Sequence, residues 1–144
     1  MRKLVLLSIL ATFIMVVSCS ESETVKKTIS LTLIKNGLKF QVEDYQLLNR
    51  PYKKSNFGQQ GSYRIHLLDK TNNVIQKVGI GSLNIQAMPS GDEKIKVVLP
   101  LKPALHKVVV YKLDGSSGHY RLDSDHPLLS WTLPDSIRNF SANN

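Results

Sequence analysis

Few side chains in this chain are equipped for covalent chemistry. A thiol occurs once, at Cys19, within Val16-Val17-Ser18-Cys19-Ser20. Sulfur is the strongest ordinary side-chain nucleophile at neutral pH. No second cysteine exists to close an internal disulfide, so in an exported protein an unmodified Cys19 is an unpaired thiol. A second group lies in DGSSGHYRLDSDHP, which holds Asp114, His119, Asp123, Asp125 and His126. Imidazole and carboxylate suit zinc or another transition metal. The spacing matches neither a zinc-binding helix motif nor an EF-hand, which needs a glycine and a distal glutamate. Aspartates beside Gly, Ser and Pro also bond local backbone amides in turns, and turns are the preferred reading of this stretch. No metal and no cofactor is expected.

Hydrolytic motifs are missing. No G-x-S-x-G element occurs, and GIGSL (Gly79–Leu83) has the wrong spacing. The serines of GSSGH (Gly115–His119) are near a histidine in sequence, which is not triad geometry. The glycines of GQQG (Gly58–Gly61) do not follow a strand and open a helix, as a phosphate-cradling loop requires. For non-covalent binding the richest stretch is NRPYKKSNFGQQG (Asn49–Gly61), where Arg50, Lys53 and Lys54 alternate with Tyr52 and Phe57. Cations there meet anionic groups while a ring stacks on a sugar or base. A loop this long within a compact domain is more often functional or mobile than accidental. Arg50, Lys53 and Lys54 are therefore the candidate anion contacts and Tyr52 the candidate stacking surface. An ordinary surface loop with its rings tucked inward is the competing reading.

These groups must be carried by something, and the chain divides plainly. Arg2 and Lys3 precede an apolar run from Leu4 to Val17, broken only by Ser8 and Thr12, and the polar SESETVKK (Ser20–Lys27) follows Cys19. That order of charged, apolar and small residues is the order of a secretory signal peptide. As a helix the apolar run reaches only about 21 Å, short of a hydrocarbon core roughly 30 Å thick. A cleaved leader is expected over 1–18, and residues 20–27 are expected as a tether of about 26–29 Å when extended. The whole chain of 144 residues carries 19 basic and 11 acidic side chains, net +8. Removing 1–18 takes away Arg2 and Lys3 and no acid, leaving 17 against 11, net +6. Such a surface suits anionic lipid, lipopolysaccharide or polyanionic polysaccharide, although the lysines form no block. Nucleic acid is disfavoured by the exported address.

The four residues Val16-Val17-Ser18-Cys19 resemble the lipobox of bacterial lipoproteins, with Val16 where the family usually has Leu. The resemblance implies a diacylglyceryl group on the Cys19 sulfur, cleavage just before it, and often acylation of the new amino terminus. Two or more chains give stable anchoring where one is marginal. Ser20 is not the aspartate that resembles an inner-membrane retention signal, so for a gram-negative host the resemblance implies the outer membrane.

Beyond Lys27 the apolar period is two almost everywhere. Ile29, Leu31 and Leu33 alternate with Thr28, Ser30 and Thr32; after Asn36-Gly37, Leu38, Phe40 and Val42 alternate with Lys39, Gln41 and Glu43. Asn-Gly is the strongest short signal for a two-residue hairpin. A turn centred there places Leu33 opposite Phe40, Leu31 opposite Val42, Thr32 opposite Gln41 and Ser30 opposite Glu43. Further strands are expected at Ser62–Leu68, Val74–Ile80, Leu83–Ala87, Ile95–Leu99, Lys107–Leu113, His119–Leu122 and Leu129–Leu133, with turns at Asp69–Asn73 and Pro89–Asp92. Trp131, in phase with Leu129 and Leu133, is expected in the core. Val42–Leu48 and Asp135–Phe140 are the only candidates for short helical turns. The fold class is thus all-β, a single sandwich of about eight to nine short, mostly antiparallel strands over 28–140, with 141–144 a disordered tail.

Within it, GSYRIHLLDKTNNVI, VVLPL and HKVVVYKLDG (between Gly61 and Gly115) resemble the immunoglobulin-like accessory sandwiches of exported bacterial proteins. Such domains support or bind, and the resemblance brings no catalytic residue. The expected protein is a lipid-anchored, extracytoplasmic envelope protein with a binding or accessory role and no enzyme activity. It meets a membrane through lipid on Cys19, and an envelope protein or an anionic glycan through its surface. The alternative is a metal-dependent or hydrolytic envelope enzyme using the Asp114–His126 region.

Overall fold

The computed structural model describes residues 25–54, 62–80, 85–114, 121–122 and 125–143. Nine strands and one helix follow in order: β1 (Thr28–Asn36), β2 (Lys39–Leu48), β3 (Tyr63–Leu68), β4 (Val74–Ile80), β5 (Ile85–Ala87), β6 (Glu93–Pro100), β7 (Lys107–Asp114), β8 (Arg121–Leu122), β9 (Leu129–Thr132) and α1 (Asp135–Ala142). One antiparallel sheet has the order β2-β1-β6-β5. The other runs β4-β3-β7, with β9 and the two-residue β8 both paired to β7. Two antiparallel sheets facing one another make the all-β sandwich that the alternating pattern predicts.

The alternating residues meet between the sheets. Ile29, Leu31, Leu33, Ile95 and Leu99 from the first sheet, and Ile65, Leu67, Ile80, Val108 and Val110 from the second, are fully buried in one cluster. Phe40 crosses to Tyr63 edge-on, with ring centroids 5.1 Å apart. The sheets also join by main chain along one side, where the Phe40 amide donates to the Leu128 carbonyl at 2.9 Å. Trp131 is half-buried against the cluster and tilts over Tyr45 at 6.0 Å.

Two features of β2 differ from the sequence expectation. The hairpin pairs Asn36 with Lys39, Lys35 with Phe40 and Leu33 with Val42, a register two residues from the expected one. Gly37 alone takes positive φ (+61°) and sits first in a Gly37-Leu38 loop. That is the demand of a type II′ turn, whereas the expected turn needed positive φ at Asn36 as well. A shift of two preserves the faces, so Phe40 still points inward. Leu38, however, moves to the tip and is 83% exposed. The second difference is at Val42–Leu48, which is strand and not a helical turn. Thr32 pairs with Asp44 while Leu33 pairs with Val42, leaving Glu43 as an extra residue. This bulge resets the alternation, so that Leu31 faces Tyr45 and Ile29 faces Leu47. Without it, the adjacent polar pair Glu43-Asp44 would break the inward series.

At Asp135–Phe140 the helical reading holds, and α1 continues to Ala142 with Ser141 buried. The ordered body therefore passes the boundary expected at residue 140. The helix fits there because Ile137 drops into the core between Leu133 and Ser141 while its other faces stay outside.

Candidate functional site

Strand ends define two poles of the sandwich. At one pole Thr28 is flanked by Leu48 and Pro100, and the chain between β6 and β7 crosses from sheet to sheet. There the Leu101 amide donates to the Lys27 carbonyl at 3.0 Å and the His106 amide to the Leu68 carbonyl at 2.9 Å. α1 covers this pole, tied in by the Leu133 amide, which donates to the His106 carbonyl at 2.9 Å. Lys27 Nζ donates to the Phe140 carbonyl at 2.8 Å and to the Asn143 carbonyl, and lies 4.8 Å from the Phe140 ring centre. A cation at the end of a helix satisfies its orphan carbonyls and its dipole together. The chain thus enters the sandwich pinned to its own C-terminal helix.

The predicted contact residues fall at this same pole. The Tyr52 amide donates to the Val25 carbonyl at 3.0 Å, which draws the segment after β2 alongside the incoming chain. Arg50, Lys53 and Lys54 are exposed, and Tyr52 is half-buried. Burial raises the Tyr52 hydroxyl pKa above its ordinary value, and the ring is less open than a free stacking platform requires. Sequence reading missed two partners. Lys26 is exposed beside Val25, and Lys102 follows Leu101 onto the same pole. Neither has a motif; only the crossing between sheets brings Lys102 there. None of these five cations makes an ion pair among the described residues.

Cations elsewhere are more often neutralised. At the opposite pole Lys35 Nζ donates to the Tyr63 hydroxyl at 3.2 Å, that hydroxyl donates to Glu93 Oε2 at 2.9 Å, and Lys35 lies 3.6 Å from the same oxygen. This is a polar clasp from the first sheet to the second. Burial first, and Glu93 after it, raise the Tyr63 pKa; the Tyr63 hydrogen bond is the main cause raising Lys35. Both changes favour the protonated forms, which suits a structural tie and not a base. Lys94 pairs with Glu43 at 2.7 Å. Asp69 spends its carboxylate on its own turn, accepting from Thr71 and Asn73, and these bonds lower its pKa.

The remaining sequence candidates are only partly within view. Cys19 lies outside the described residues, as do Phe57, His119 and Asp123. Asp114 ends β7, and Asp125 and His126 are exposed in the bend before β9. Among the described residues no three His, Cys, Asp or Glu side chains converge to hold a metal. No helix among them is long and apolar enough to cross a membrane. No family model, curated protein or solved structure matches the chain.

Proposed function

We propose that this chain is a lipid-anchored bacterial envelope protein, attached through Cys19, whose sandwich binds or supports a partner and performs no catalysis of its own. The observation that carries the reading is the sequence order around Cys19: two cations, an apolar run too short to span, a small residue, then the sole thiol. The sandwich is compatible with a leader that is removed, since its hydrophobic cluster joins both sheets and α1 with residues from Ile29 to Ile137. The address is extracytoplasmic, and the outer membrane is favoured for a gram-negative host. The anion contacts are Arg50, Lys53 and Lys54, beside Tyr52. Metabolic labelling with a fatty acid tests the anchor. Wild type should take up label, and Cys19→Ala should lose it and accumulate as the unprocessed precursor. Equal labelling of the variant would refute lipid attachment at this sulfur.

A further inference from the structure

The pole that carries Arg50, Lys53 and Lys54 is also the pole at which the chain enters the sandwich. Val25 is only six positions beyond Cys19, a reach of at most about 20–22 Å. β1 is nine residues long, so the Gly37-Leu38 tip stands about 30 Å farther off. Charges at the tip are several Debye lengths away when the entry pole is at a surface, since that length is about 8 Å at physiological salt. The entry pole presents Lys26, Arg50, Lys53, Lys54 and Lys102 without ion pairs among the described residues. Asp69, which follows Leu68 at this pole, and Asp135, which opens α1 over it, are engaged by their own turn and by Arg138. Glu21 and Glu23 in the tether are outnumbered.

We propose that this basic pole is a docking surface for the anionic phosphate headgroups of the leaflet that holds the lipid, so that the sandwich stands upright with the Gly37-Leu38 tip outermost. The inference rests on lipid attachment at Cys19 and adds what the loop cations contact. A tether alone leaves the body free to lie on either flank. A cation close to an anionic leaflet is worth about fivefold in binding, so several acting together select one orientation.

The test uses the full lipidated protein, purified from cells and reconstituted in vesicles. Ala104→Cys places a fluorophore at the entry pole and Leu38→Cys places one at the tip; both positions are exposed. A quencher attached to lipid headgroups reports proximity. With phosphatidylglycerol present, the Ala104 label should be quenched severalfold more than the Leu38 label. That gap should narrow severalfold in pure phosphatidylcholine, and at about 1 M salt, where screening shrinks to about 3 Å, to the remainder that the tether alone imposes. The triple change Arg50→Gln, Lys53→Gln, Lys54→Gln should weaken docking about 100-fold and narrow the gap to the same extent as neutral vesicles do, while leaving the lipid in place. Equal quenching of the two labels on phosphatidylglycerol vesicles would overturn the proposal. So would a gap of undiminished size on neutral vesicles or in the triple variant, the result expected of an apolar or protein-mediated contact. Fluorophore uptake by Cys19 in the parent protein has a different meaning: it would refute lipid attachment, and this orientation with it.

Discussion

Tyr63→Phe isolates the clasp between the sheets. The ring stays, so the edge-on contact with Phe40 and the buried area are retained. What is lost is the hydroxyl that accepts from Lys35 and donates to Glu93. Hydrogen bonds to charged groups contribute about 1.5–3 kcal/mol each. Here the Lys35 and Glu93 side chains retain 27% and 35% exposure and remain 3.6 Å from each other. They can turn to water or to one another, so the two bonds together are worth about 1.5 kcal/mol. With a urea m-value of about 1.5 kcal/mol/M, the midpoint should fall by about 1 M with no change in slope. Heating should show a drop in Tm of about 5 °C. The alkaline limb supplies an independent readout. In the native protein burial raises Tyr63 and the Tyr63 hydroxyl raises Lys35. Both folded-state values exceed the unfolded ones, so the native state holds more protons above about pH 10. The stabilisation is complete below that pH and is lost as pH rises through the folded values. Tyr63→Phe removes the tyrosine's share and the main cause of the lysine's, so stability should fall less steeply above about pH 10 than in wild type. Unfolding midpoints equal to wild type at neutral pH, or an unchanged alkaline slope, would refute a clasp between the sheets.

Leu31 is fully buried on one of the two interior strands of its sheet, and Leu31→Ala should cost about 3 kcal/mol in urea unfolding. Gly37→Ala should cost about 1 kcal/mol; a Cβ there meets nothing within 4 Å, so the backbone at φ +61° is the sole source. Leu38→Lys, at the exposed tip, should stay within about 0.5 kcal/mol of wild type. His66 is buried on the outer face of the second sheet against Tyr111 at 4.9 Å. Burial, then Lys77 and Arg64, lower its pKa. Its ring should therefore titrate by NMR below the usual histidine value of about 6.5. Because the unfolded chain binds the proton first, stability should be lost as pH falls from that value toward the folded one. An unperturbed titration curve would contradict the burial.

Pattern alone located the strands other than the second half of β2, because a pleated strand sends neighbouring side chains to opposite faces and leaves a period of two in the residues themselves. Val74–Ile80 matches β4 end to end, and the turns at Asp69–Asn73 and Pro89–Asp92 stand where short polar residues and Gly91 required them. The same local chemistry under-determined the first hairpin. Asn36-Gly37 and Gly37-Leu38 both supply a glycine at a turn, and because a shift of two preserves the faces, the alternating pattern does not distinguish the two registers. The bulge at Glu43 was hidden for a similar reason: two adjacent polar residues read locally as a break, and only pairing with the continuous series Ile29–Leu31–Leu33 keeps β2 in line.

For function, the sequence by itself determined the pieces: one thiol behind an apolar run, a basic excess, and a loop in which cations alternate with rings. These are properties of residue type and order, which need no fold to exist. Tertiary structure alone decided which of them share a place. Lys26, Arg50, Lys53, Lys54 and Lys102 come from three separate stretches and gather at one pole because β1 begins there, β2 ends there and the chain after β6 crosses there. Strand order is a long-range choice, set by which apolar faces bury one another, and no local spacing encodes it.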